Sequence, residues 1–232
     1  MIVTPNWASA GYSVVRICVR NADLEISYGQ GVAVSSKYVL TALHGRGDPA
    51  LEYEVAAMAG TKKKCVLVRE WFTANRCDIA LMRLKDSRDT FINWLEVRRS
   101  VAVLDETIAV LSLIDGLGGG VGLSCQRSTI HMVDPDTCIC RAQYYCSDGY
   151  SGSGVVASSQ VDGSIKVIGV HCASHDDTVS PPAVTKAKRG GGADVDSVSS
   201  NSQSLAKSLH GHTAYSMICV AGLVPELMNF LS

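Results

Sequence analysis

Ser151 stands in the run Cys146-Ser147-Asp148-Gly149-Tyr150-Ser151-Gly152-Ser153-Gly154, inside a Gly-X-Ser-Gly turn. A serine hydroxyl is a weak nucleophile at its own pKa and needs a base. Two residues upstream have the right chemistry. His44 ends the run Tyr38-Val39-Leu40-Thr41-Ala42-Leu43-His44-Gly45, and Asp78 heads the run Asp78-Ile79-Ala80-Leu81. An imidazole accepts the hydroxyl proton and later returns it to a leaving group, while a carboxylate holds the imidazole tautomer. The small Gly149 lets the backbone approach a bound carbonyl. The N–H groups of Gly149 and Ser151 would then be two donors for an oxyanion on one short turn. Taken singly, each residue has a plainer reading: a buried histidine, a turn-capping aspartate, a loop serine. Together they describe acyl transfer.

The order His, Asp, Ser separates this arrangement from the Asp, His, Ser and Ser, Asp, His orders of other serine hydrolases. A shifted Gly-X-Ser-X-Gly elbow fails, because Ser151 stands where Ser153 would need a glycine. Four segments in sequence order resemble the trypsin-like (chymotrypsin-type) serine proteases. Gly29-Gln30-Gly31-Val32-Ala33-Val34 through His44 is similar to the strands leading to their histidine. Asp78-Ile79-Ala80-Leu81 is similar to their aspartate motif, and Gly149-Tyr150-Ser151-Gly152-Ser153 to their serine motif. Val167-Ile168-Gly169-Val170-His171-Cys172-Ala173 is similar to the strand that follows. The resemblance implies a serine endopeptidase with a His44–Asp78–Ser151 triad.

It also implies a pocket. In such enzymes the residue after the Gly-Val of that strand, here His171, lines the site for the side chain preceding the cut. A histidine there is typical of viral polyprotein-processing proteases (sobemovirus-like and arterivirus-like types) and of bacterial glutamyl endopeptidases. Both cleave after Glu or Gln. A buried imidazole N–H can donate to a carboxylate or amide oxygen, and unpaired it costs free energy, so substrates lacking the acceptor are rejected. Where many of these viral enzymes carry threonine, this chain has Cys146, a poor donor; Ser147 or Tyr145 would substitute. Tyr145 also stands where Lys/Arg-specific enzymes need an acid. Tyr150 replaces the aspartate that pairs with a freed N-terminus in secreted zymogens, so no such activation is expected.

These residues need a scaffold. Short β-rich runs recur at Tyr12–Val19, Gly31–Ser35, Tyr38–Thr41, Cys65–Val68, Ile79–Leu84, Val101–Leu104, Ile108–Leu113, Gln126–Val133, Thr137–Tyr145, Gly154–Ser158 and Ile165–Cys172. Turn residues separate them at spacings typical of sandwiches and barrels. Thr213–Val220 looks like the last barrel strand of the resembled proteases. Helical character is confined to the C-terminus, where Pro225 suits a first helical turn. The expected fold is all-β: two antiparallel six-stranded barrels with a short C-terminal helix. Residues 1–100 would form the barrel with His44 and Asp78, and residues 101–232 the barrel with Ser151 and the pocket. Residues 174–212, rich in Ser, Gly, Ala and Asp, read as a long flexible loop. The stretch holds no Glu but contains Gln203-Ser204. An enzyme preferring Glu would leave it intact.

Composition narrows the partners. The 232 residues are 47% apolar and 19% charged, with 21 Lys+Arg against 22 Asp+Glu, so no basic excess signals nucleic acid. The one sharp basic cluster, Lys62-Lys63-Lys64, reads as a solvated hairpin. No segment has the apolar length to span a membrane, and no signal peptide opens the chain. Nine cysteines, with Gly45 rather than a cysteine after His44, favour a reducing, intracellular setting such as a host cytoplasm. Cys125, Cys138, Cys140 and Cys146 read as small core thiols rather than zinc ligands, and no cofactor or metal is expected. The expected partner is a polypeptide, the enzyme's own polyprotein. Two alternatives stand beside this reading: a catalytically silent protease-fold binding module, and a cellular or bacterial glutamyl endopeptidase.

Overall fold

Among the described residues of this computed structural model, twelve antiparallel strands close into two six-stranded barrels. The structure describes residues 6–21, 24–43, 52–58, 60–71, 78–115, 120–136, 138–146, 149–159, 162–175, 213–221 and 224–231. The first barrel contains β1 (Val14–Asn21), β2 (Leu24–Ala33), β3 (Tyr38–Ala42), β4 (Glu52–Ala57), β5 (Lys63–Trp71) and β6 (Ile79–Leu84). Its order is β1-β2-β3-β6-β5-β4, closed by pairing of β1 with β4. The second contains β7 (Thr107–Asp115), β8 (Val121–Asp134), β9 (Ile139–Tyr145), β10 (Gly154–Ser158), β11 (Ile165–His175) and β12 (Thr213–Val220). Its order is β10-β11-β12-β9-β8-β7, closed by pairing of β10 with β7. Closure removes the unpaired edges of an open sheet. Among the described residues two short α-helices flank the barrels, α1 (Trp7–Ala10) and α2 (Pro225–Leu231).

Three apolar clusters hold this arrangement. Val15, Ile17, Val19, Val39, Tyr53, Val55 and Met82 fill the first barrel. Ile108, Val110, Ile130, Val155, Ile168 and Ile218 fill the second. A third lies between them: Val14, Val32, Leu40, Ile79 and Leu81 of the first barrel meet Ala109, Leu111, Val156, Val167 and Val170 of the second. Leu40, Ile79, Leu81 and Leu111 are fully buried there, each contributing about 1.5–3 kcal/mol of transfer free energy. The C-terminal helix adds Leu227 to this seam and sets Phe230 edge-on to Tyr38, ring centroids 5.4 Å apart. The expected C-terminal helix and two barrels are therefore both present.

Several sequence-predicted elements shift. Val101–Leu104 is not a strand; it belongs to the connector between barrels, with Val101, Val103 and Leu104 exposed. It finds no partner strand, because the connector is strapped elsewhere. Val97 bridges Val167 of β11 in parallel, and Arg98 is clasped by Glu106. The second strand begins at Leu24, well before the predicted Gly31, and β4 was not predicted at all. Its signal was present: Tyr53 and Val55 alternate with Glu52 and Glu54, the period-2 pattern of a half-buried strand. Of the cysteines expected as core thiols, Cys140 is buried in the second barrel, whereas Cys138 is half-buried outside β9 at φ 56° and Cys125 is exposed on β8. In the lysine cluster, Lys63 and Lys64 open β5. Lys63 donates to the Thr90 carbonyl at 2.8 Å and Lys64 pairs with Glu52 at 2.9 Å. The predicted loop 174–212 lies, from residue 176 on, outside the described residues.

Candidate active site

The turn that carries Ser151 lies between β9 and β10 and is held from both barrels. Gly149 and Gly152 have φ of +87° and +83°, left-handed values that glycine adopts without steric cost. Around Gly149 a Cβ would meet nothing within 4 Å, so its requirement is conformational. At Gly152 the requirement is also space, since a Cβ there would sit 1.9 Å from the Gln30 carbonyl oxygen. The turn is pinned by its own N–H groups. Ser153 N–H donates to the Tyr150 carbonyl at 2.8 Å, and Gly152 N–H donates to the His171 carbonyl at 2.8 Å. From the first barrel, Gln30 N–H donates to the Ser151 carbonyl at 2.8 Å. Ser151 is half-buried.

Asp78 is also half-buried and immediately precedes β6. Its carbonyl accepts from Leu43 N–H at 3.3 Å, so Asp78 lies beside the residue that precedes His44. On the same strand Thr41 donates its hydroxyl to the Gln30 carbonyl at 2.6 Å, and its Oγ1 lies 2.5 Å from where a Cβ on Gly152 would stand. The ends of β2, β3 and β6 thus converge on the turn that carries Ser151. His44 itself, like Ser147 and Asp148, lies outside the described residues.

His171 is buried beside the same turn, and its N–H donates to the Ser153 carbonyl at 2.9 Å. His171 pairs with Ile218 and Ala173 with Met217, leaving Cys172 as an extra residue in a bulge. Bulges re-aim side chains near functional sites. The His171 ring meets a residue that sequence reasoning missed: the Tyr144 hydroxyl is 2.7 Å from Nδ1, with the rings edge-on at 5.6 Å. Period-2 alternation explains why it is Tyr144 and not its neighbour. Tyr144 is buried on the interior face of β9, whereas Tyr145 is exposed and its backbone N–H and carbonyl are both bonded by the Gln126 side chain. Tyr145, expected at the pocket, is thus on the outer face. Cys146 is half-buried and packs against the second barrel's core.

The fold is the chymotrypsin-like double barrel. Solved structures match it over most of the chain. A serine endoprotease from Yersinia pestis matches at a TM-score of 0.60 and 15% identity, over 99% of this chain and 68% of that one. The protease of tobacco etch virus, solved with product, matches at 0.54 and 16% over 75% of this chain and 73% of its own. Tobacco vein mottling virus protease matches at 0.54 and 16% over 77% and 78%. No family model and no curated protein matches the sequence. At such identities the likeness concerns the fold, and function rests on the site.

Proposed function

We propose that this chain is a serine endopeptidase in which Ser151 attacks a peptide carbonyl, His44 carries the proton and Asp78 orients the imidazole. The observation that carries the reading is the turn itself. Ser151 is presented between two left-handed glycines at the junction of two chymotrypsin-like barrels, with Asp78 and the strand leading to His44 at the same junction. The Gly149 and Ser151 N–H groups would receive the oxyanion. The two viral structures and the bacterial one described above are proteases by name, which supports the peptidase reading.

The pocket reading extends this to cleavage after Glu or Gln in a polypeptide, with a viral polyprotein as the substrate in an intracellular setting. Its support is His171 and its partner. The Tyr144 hydroxyl meets Nδ1 at 2.7 Å; in the tautomer in which that hydroxyl donates, the ring's own proton is on Nε2, which would make Nε2 a donor for a side-chain oxygen of the substrate. A tyrosine held this way fixes a tautomer, as the orienting group of a catalytic histidine does.

The test is digestion of a random peptide library by wild type and by Ser151→Ala, read by mass spectrometry. Cuts after Glu or Gln that vanish in the variant support triad and pocket together. Cuts after other residues retain the peptidase and remove the His171 assignment. Folded wild type that cuts nothing sinks the enzymatic reading in favour of a binding module.

A further inference from the structure

Gln30 makes more directed contacts than any role in the strand requires. Its side chain is buried at 5% exposure on β2, yet its polar atoms are all engaged across the barrel boundary. Its Oε1 accepts from Leu113 N–H at 2.7 Å, and its Nε2 donates to the Leu113 carbonyl at 2.9 Å, so the amide clasps one residue of β7 from both sides. The same Nε2 also donates to the Gly149 carbonyl at 3.0 Å. Adding the backbone bond from Gln30 N–H to the Ser151 carbonyl, one residue of the first barrel holds the carbonyls on both sides of Tyr150.

We propose that Gln30 is a positioning residue for the oxyanion-binding turn, an inference that rests on the peptidase reading. A glycine at φ +87° in open space has no side chain to set its ψ, so the direction of its carbonyl is free unless something bonds it. Gln30 Nε2 supplies that bond and fixes the plane of the Gly149–Tyr150 peptide; the Gly149 N–H lies on the other side of the Gly149 Cα, and with φ at +87° its direction is set relative to that anchored plane. The other donor is fixed separately. The Tyr150 carbonyl is held by Ser153 N–H, and in a planar trans peptide the Ser151 N–H then points the opposite way. Tyr150 cannot form the aspartate ion pair that orders this turn in zymogen-derived enzymes of the resembled type. In this chain a neutral amide anchored on Leu113 performs the ordering. It needs no freed N-terminus, and the site is set once the barrels have docked.

The experiment compares wild type with Gln30→Leu and Gln30→Ser. Leucine removes all three side-chain hydrogen bonds. Serine leaves room for water to satisfy Leu113, which keeps a folded variant available should Gln30→Leu fail to fold. Active sites are counted by titration with a peptide phosphonate, so that loss of folded protein does not count as loss of catalysis. The expected result is a fall in kcat of roughly a hundredfold per titrated site, comparable with loss of one oxyanion donor. KM and the affinity for product peptide should change less than about twofold, and a peptide boronic acid should bind about as much weaker as kcat falls. Unchanged kcat per site with a lowered melting temperature would overturn the inference and leave Gln30 a barrel-docking residue only. If wild type neither cleaves nor reacts with the phosphonate, the peptidase reading fails first and this inference falls with it.

Discussion

Six polar side chains are buried among the described residues: Ser13, Gln30, Thr41, Ser112, Ser153 and His171. Ser13 bonds locally, to the Ala10 carbonyl. The other five gather at the seam behind Ser151. Thr41 bonds Gln30, Gln30 bonds Leu113 and Gly149, Ser112 donates to Ser153 at 2.8 Å, and His171 bonds Ser153. The interior of the first barrel is the opposite case. Val15, Ile17, Val19, Val39, Val55 and Met82 pack there around the ring of Tyr53, and the one thiol among them, Cys65, meets the Met82 sulfur at 4.0 Å. Apolar packing is non-directional and tolerates exchange of similar volumes. Hydrogen bonds specify direction and are costly when left unmade. The molecule therefore uses packing where it needs bulk stability and buried polar contacts where a turn must hold one orientation.

Substitutions in the two regions should consequently fail in different ways. The largest effect belongs to the proposed nucleophile: Ser151→Ala should lower kcat by about 10⁵-fold or more without lowering the melting temperature, measured with a cleavable peptide. Next is Gly152→Ala, where a Cβ would collide with the Gln30 carbonyl and φ is +83°. Activity per folded molecule should fall by roughly a hundredfold or more, and unchanged turnover would show that the seam is not directional after all.

His171→Ala should reduce kcat/KM on Glu and Gln peptides by roughly 10²-fold while sparing substrates with small apolar side chains. Tyr144→Phe keeps the ring and removes the hydroxyl that meets Nδ1. About a tenfold loss on the same peptides is expected, and equal effects on all substrates would move His171 from specificity to structure. In contrast, Ile130→Ala in the second barrel should cost about 2–5 kcal/mol in denaturant unfolding and leave turnover per folded molecule unchanged.

An alkaline pH dependence sharpens the picture of the apolar interior. Burial, and secondarily the Glu54 charge, pushes the Cys65 thiol up from 9.0 to about 12. A folded-state pKa raised above the unfolded value contributes stability that is complete below the unfolded pKa. It is lost as pH rises from 9.0 toward about 12. Unfolding curves at successive alkaline pH values should show wild type losing up to about 1.4 kcal/mol per pH unit more than Cys65→Ala over that window. Parallel pH dependences would mean that water reaches the interior.

Much of this was legible in the chain. Strand runs such as Ile79–Met82 and Ile108–Leu111 carry unbroken apolar residues because both faces are buried, one in a barrel and one at the seam. Gly149 and Gly152 were readable as a turn because few other residues tolerate left-handed backbone. The connector Val101–Leu104 misled because a short apolar run looks the same whether or not a partner strand exists. Tyr144 was hidden by its neighbour, since the strand's facing depends on register, and a shift of one residue exchanges the two tyrosines.

Sequence alone determined the residue types available for chemistry, their order, the periodicity of the strands and the turns that glycine permits, because these depend on local sterics and hydrophobic pattern. Tertiary structure alone decided that Gln30 reaches Gly149 across 119 positions of chain, that Tyr144 rather than Tyr145 meets His171, and that the buried polar groups lie behind one turn. The physical reason is that a side-chain hydrogen bond has a direction and a reach of about 3 Å. Only the docking of two closed barrels brings such distant partners within it.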